Sequence, residues 1–156
     1  TIRAGRAPRG LRPRRLPTAA TTAMARHTGE VTRYFTLDEA RALLPEARER
    51  IGEVAALVVD LQRLQQALQR GEPTEQGGIP EAKALEARVD EALQWFSSAG
   101  IQVKGIAPAL LDFPARTPDG EVLLCWLQGE PELAWYHPLD TGFLGRAPVT
   151  DLDLPQ

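Results

Sequence analysis

Apolar side chains recur at alternating intervals of three and four along one stretch of this chain. Leu44, Ala47, Ile51, Val54, Val58, Leu61 and Leu68, with Gln65 as the polar member, fall on one side of a helix turning every 3.6 residues. Leu57 and Leu64 widen that stripe, as a face buried inside a domain requires. Upstream, Thr32 to Phe35 is a short β-prone piece, and Thr36-Leu37-Asp38-Glu39 can cap a helix start reciprocally, hydroxyl to backbone and carboxylate to backbone. Pro45 lacks a backbone donor and disfavours the α region at Leu44, so the pattern predicts a short first helix and a kink or restart at Pro45. From there a helix to residue 70 would extend about 39 Å. Gly71, Pro73, Gly77 and Gly78 punctuate a connection, and Pro80 suits the first turn of a second helix. Ala82, Leu85, Val89, Ala92, Phe96 and Ala99 repeat the spacing until Gly100 supplies a stop. The two helices read as an antiparallel hairpin, with small Ala82, Ala92 and Ala99 facing Ile51, Val54, Val58 and Leu61. The longer helix is expected to outreach the second helix and the sheet, leaving its far end around Leu64 and Leu68 free for a partner.

Beyond Gly100 the helical period disappears. Short β-prone runs follow at Ile101 to Val103, Ala109 to Phe113, Glu121 to Gln128 and Leu133 to His137. Pro118-Asp119-Gly120 is a turn, and Gly129-Glu130-Pro131-Glu132 can reverse the chain again. Three antiparallel strands in a meander result, with the helical hairpin on one face. The fold class is therefore α+β, a long helical hairpin packed on a small antiparallel meander.

Composition fits a globular chain, since 43% of the 156 residues are hydrophobic and 25% charged. Charge is uneven. Residues 1–23 carry six Arg and no acid, which leaves about −9 on the remainder. An acidic body repels phosphate backbones, so nucleic-acid binding is not expected. Residues 1–31 are expected to form a disordered basic leader, residues 32–150 a single domain and residues 151–156 a tail. For the first 23 residues a vestigial or mistranslated leader before Met24 is favoured over a nucleic-acid tail or an organellar transit peptide. The lone cysteine, Cys125, and the lack of a secretory apolar stretch fit a reducing cytoplasm, and no run is apolar enough to span a bilayer.

Several separated motifs resemble one family, the bacterial and archaeal proteins grouped as domain of unknown function 2203. Tyr34-Phe35-Thr36 with Glu39-Ala40 and Leu44-Pro45 is similar to its opening, and Asp112-Phe113-Pro114-Ala115 to its middle. Leu124-Cys125-Trp126, Gly129-Glu130, His137, Gly142-Phe143 and Gly145-Arg146 resemble its closing signature. The likeness covers roughly Arg33 to Val149. Ala109 and Tyr136 depart from the pattern, which has Gly and Trp there. The resemblance implies a fold and a motif map and carries no activity.

Rare residue types crowd into Val122 to Arg146. Cys125, Glu130 and His137 are competent ligands for zinc or another divalent metal, and three protein ligands plus water is a catalytic zinc arrangement. The hairpin register decides whether they meet. If Gly129 to Glu132 form a four-residue loop, Cys125 pairs with Tyr136, and Cys125 and His137 point to opposite faces. A three-residue loop or a bulge would instead set Cys125 opposite Trp135, on the same face as His137. The simple register is preferred; it makes Cys125 a small buried hydrophobe and pairs Trp126 with Trp135 across the strands. Asp112, Trp126, Glu130, Trp135, His137 and Arg146 are the candidate ligand-binding residues. Asp112, between Leu111 and Phe113, requires a partner, and Arg146 is the one expected. No phosphate loop and no nucleophile-base set is present. The expected function is a non-enzymatic interaction protein with a protein partner or self-association through its coiled-coil-like hairpin. The alternative is a metal- or small-ligand-binding protein, or an enzyme, built on Asp112, Cys125, Glu130, His137 and Arg146.

Overall fold

The computed structural model describes residues 32–153. The expectations for the leader at 1–31 and for residues 154–156 lie outside the described residues. Within them the order is α1 (Leu37–Arg70), α2 (Ile79–Ala99), β1 (Gln102–Ile106), β2 (Ala109–Thr117), β3 (Gly120–Leu127), β4 (Trp135–Pro138) and β5 (Ala147–Pro148), with 3-10 turns at Gly142–Gly145 and Val149–Asp151. The α+β architecture is the one the periodicities specify.

Helix α1 starts on the reciprocal cap, Glu39 N–H donating to Thr36 Oγ1 at 3.2 Å and Thr36 N–H to Glu39 Oε2 at 2.9 Å. It then continues unbroken for 34 residues, through Pro45. The expected break is absent because Pro45 and Arg41, whose carbonyl loses its helical donor, both lie on the exposed side. Water can serve that carbonyl, while Leu44 and Ala47 stay packed on the inner side. Gly71 closes α1 in the left-handed region at φ 66°, donating to the Ala67 and Leu68 carbonyls, and Gly100 closes α2 in the same way at φ 82°.

The end of α1 expected to be free around Leu64 and Leu68 is covered at Leu64 and half-covered at Leu68. Leu64 is fully buried, because α2 sets out from the turn at the C-terminal end of α1 and runs back along it, with Ala82 buried in the contact. The surplus length of α1 lies at its other end, where Ala40, Leu44, Ala47 and Ile51 join the core against the sheet.

The sheet is five-stranded among the described residues, ordered β1-β2-β3-β4-β5 and antiparallel throughout. It exceeds the expected meander by β1, which pairs beside β2 across a bulge, and by the short β5 at the far edge. The Thr32 to Phe35 piece forms no strand, although Phe35 N–H donates to Pro114 O at 2.7 Å. Side chains alternate along each strand. Leu111, Phe113 and Ala115 of β2 with Val122, Leu124 and Trp126 of β3 face the core shared with α1 and α2. The intervening residues belong to the opposite face, and they too are buried through the middle of β2 and β3.

Candidate functional site

The residues at issue occupy the face of the sheet turned away from the helices. Asp112 on β2 pairs with Cys125 on β3, Cys125 pairs with Trp135 on β4, and His137 pairs with Leu123. This is the shifted register, and the expected pairing of Cys125 with Tyr136 is corrected by one residue. The physical reason lies in Glu130. Its carboxylate accepts from Leu127 N–H at 2.8 Å, and its carbonyl accepts from Trp126 Nε1–H at 3.0 Å. These bonds end β3 at Leu127 and fold residues 128–134 into a wider connection than a four-residue turn. Leu133 drops into the core, and Ala134 O takes Val149 N–H at 2.9 Å. A slip of one residue reverses every side chain, so Cys125 and His137 now share a face.

Asp112, Cys125 and His137 converge. One donor atom from each lies within 4.8 Å of the others, and the residues are 2%, 0% and 4% exposed. His137 Nδ1 lies 2.9 Å from Pro138 O. A carbonyl can only accept, so Nδ1 carries a proton, and the ring turns Nε2 toward Asp112 Oδ2, 3.4 Å away. That separation is too long for a good hydrogen bond. Bonds of about 2.0 to 2.3 Å to a tetrahedral zinc would put neighbouring ligand atoms about 3.3 to 3.8 Å apart. Among the described residues Asp112 Oδ1 has no hydrogen-bond partner, an expensive condition for a buried carboxylate oxygen.

The other expected members lie elsewhere. Glu130 is not in the trio; both its carboxylate oxygens accept from Arg146 Nη2, at 2.6 and 2.8 Å. Arg146 therefore pairs with Glu130, and the expected Asp112–Arg146 pair is replaced by Asp112–His137. Competition explains the exchange, because Glu130 is already fixed beside Arg146 by the Leu127 bond. The guanidinium also lies 5.2 Å from the Trp135 ring centroid and 4.8 Å from that of Phe143. Trp126 and Trp135 do not pair; Trp126 is buried in the core face and pairs with Leu111, while Trp135 is 36% exposed on the opposite face. Asp112 was legible as a buried acid needing a partner, but its place beside Cys125 depends on the β2–β3 register, which fixes the two as direct partners.

Burial, then the neighbouring Asp112 carboxylate, pushes the Cys125 thiol up to about 12. Such a thiol is a poor nucleophile. The ring geometry argues the same way, since one imidazole nitrogen is committed to Pro138 O and cannot bridge cysteine and carboxylate as a triad histidine does. A bound cation would invert this situation, because a coordinating thiol is deprotonated outright. In metal-free protein the raised value has a stability consequence with a definite sign. The unfolded chain ionises this thiol near 9.0 and the folded one near about 12. The contribution is therefore complete below pH 9.0 and lost as pH rises toward about 12, amounting to at most about 4 kcal/mol. Urea titrations with chelator at increasing pH should show wild type losing stability more steeply than Cys125→Ser above that lower bound. Parallel slopes would remove the attribution.

Among the described residues no helix is long and apolar enough to cross a membrane. No curated protein and no solved structure matches this chain. The family described as Uncharacterized conserved protein (DUF2203) matches residues 33–149, a span that takes in both helices, the sheet and the Asp112–Cys125–His137 trio, and the chain belongs to that family.

Proposed function

We propose that this protein binds a divalent transition metal of the zinc class through Asp112, Cys125 and His137. The observation that carries the reading is the buried convergence of sulfur, nitrogen and carboxylate oxygen within 4.8 Å. The histidine tautomer is set by a backbone carbonyl, which is the outer-shell arrangement that orients metal-bound imidazoles. A thiolate and an imidazole select zinc or its neighbours over magnesium and calcium, which take oxygen ligands. Three protein donors leave one tetrahedral position for water or another small ligand, and no reaction is assigned to it. A reducing cytoplasm is the setting that suits a lone thiol donor. The test is elemental analysis of protein purified without an affinity tag, followed by titration with zinc. One equivalent per chain is the expected result; no stoichiometric metal and no uptake would end the reading.

A second reading, an interaction protein, has its own support on the β4–β5 connection. Leu139, Phe143 and Leu144 are 57%, 40% and 97% exposed there, close in sequence to the partly exposed Trp135. At the helical-hairpin end Leu64 is buried, Leu68 half-buried and Ile79 68% exposed, so the three-residue cluster on the β4–β5 connection is the favoured surface for self-association. Light scattering over a concentration series should then show association that Leu144→Ser weakens, and a strict monomer would remove self-association.

A further inference from the structure

We infer that a second, separate site lies between α1 and the end of the sheet, and that it takes a small monocarboxylate carrying one compact apolar ring. A partly open cavity of about 210 Å³ occurs there, walled by Ile51, Ile106 and Trp126. A cavity of about 150 Å³ lined by apolar side chains holds benzene, so this one accommodates a single ring with a short polar group.

Two donors at the cavity define the polar end. Arg48 lines it with its guanidinium 5.5 Å from the Trp126 ring centroid, and among the described residues Arg48 forms no ion pair. Gln128 lines it too. Its Oε1 accepts from Ala109 N–H at 2.9 Å, which fixes the amide orientation and leaves the Nε2 hydrogens as donors. A guanidinium and an amide NH₂ suit the two oxygens of one carboxylate.

Gly52 supplies an independent observation. It sits inside α1, where glycine is unfavourable by about 1 kcal/mol relative to alanine. A Cβ built there meets nothing within 4 Å, so no close packing requires the glycine. It is exposed where it lines the cavity, and a large side chain at that position is expected to crowd the opening.

The experiment is a titration of the full chain with benzoate and, separately, with uncharged benzamide, read by amide chemical shifts and Trp fluorescence. Benzoate should bind saturably, with shifts centred on residues 48–55 and 126–129, and benzamide about tenfold more weakly. Arg48→Gln should weaken benzoate about tenfold and bring the two probes together. Gly52→Leu should abolish binding in a folded protein, whereas Gly52→Ala should raise the melting midpoint and leave a folded control. Equal binding of the two probes, unaltered binding by Gly52→Leu, or no saturable shift in wild type would each overturn the inference. None of these readouts depends on metal at Asp112, Cys125 and His137, so this site and the metal centre fail or stand separately.

Discussion

Cys125→Ser is expected to weaken zinc binding by at least about 100-fold while leaving the fold intact. Loss of an outer-shell partner alone commonly costs about 10- to 100-fold in metal affinity, and a direct ligand should exceed that range. Serine is nearly isosteric, so a loss of affinity would report on sulfur coordination and not on a cavity. Asp112→Asn and His137→Gln should produce losses of the same order. Glu132→Gln is the informative control. Glu132 is an exposed carboxylate on the same connection and belongs neither to the trio nor to the bonds that set the register, so its replacement should change affinity far less than any of the three. Cobalt offers an optical version, with a thiolate-to-cobalt band present in wild type and missing from Cys125→Ser. The thiol starts protonated, held up at about 12, so each bound ion must displace its proton. Apparent affinity should therefore rise about tenfold per pH unit through the neutral range. A band that survives Cys125→Ser, or an affinity indifferent to pH, would exclude the thiolate.

Phe113→Ala is expected to destabilise the protein by about 3 to 5 kcal/mol, the range for deleting a buried aromatic side chain. Phe113 is fully buried on the helix-facing side of β2, and its ring meets that of Phe35 edge to face at 5.4 Å between centroids and 82° between planes. Pairs of this geometry contribute about 0.5 to 1.5 kcal/mol beyond area burial. A double-mutant cycle with Phe35→Ala should recover a coupling in that range, because the rings are in contact and cannot act independently. Urea unfolding provides the measurement. A loss below about 1 kcal/mol would place Phe113 outside the core, since that is the scale of a typical point substitution.

Helices and strand order were legible because burial imposes a period, and the period survives in the residues. The stripe from Leu44 to Val54 names side chains that are buried, and the Pro118-Asp119-Gly120 turn joins β2 to β3 as its dihedral preferences require. Pro45 misled because a rule about missing donors does not say which side of the helix the freed carbonyl occupies. The site was harder to read. Cys125 and His137 were recognised as competent ligands, but whether they meet depends on a single residue of register. That register is decided by Glu130, a side chain bonding to Leu127 N–H and Arg146, and nothing periodic encodes such a bond. Asp112 joined the trio through its pairing with Cys125, a relation between strands that spacing along the chain does not reveal.

The three donors stand on three consecutive strands, at positions 112, 125 and 137. An ion gripped by all of them would act as a rivet through neighbouring ribbons, tying the weakly paired outer edge to the well-packed middle. Chelation would then be felt as fraying of the four-residue β4 and the two-residue β5. Metal supply and the integrity of that margin of the sheet would be a single property of the molecule.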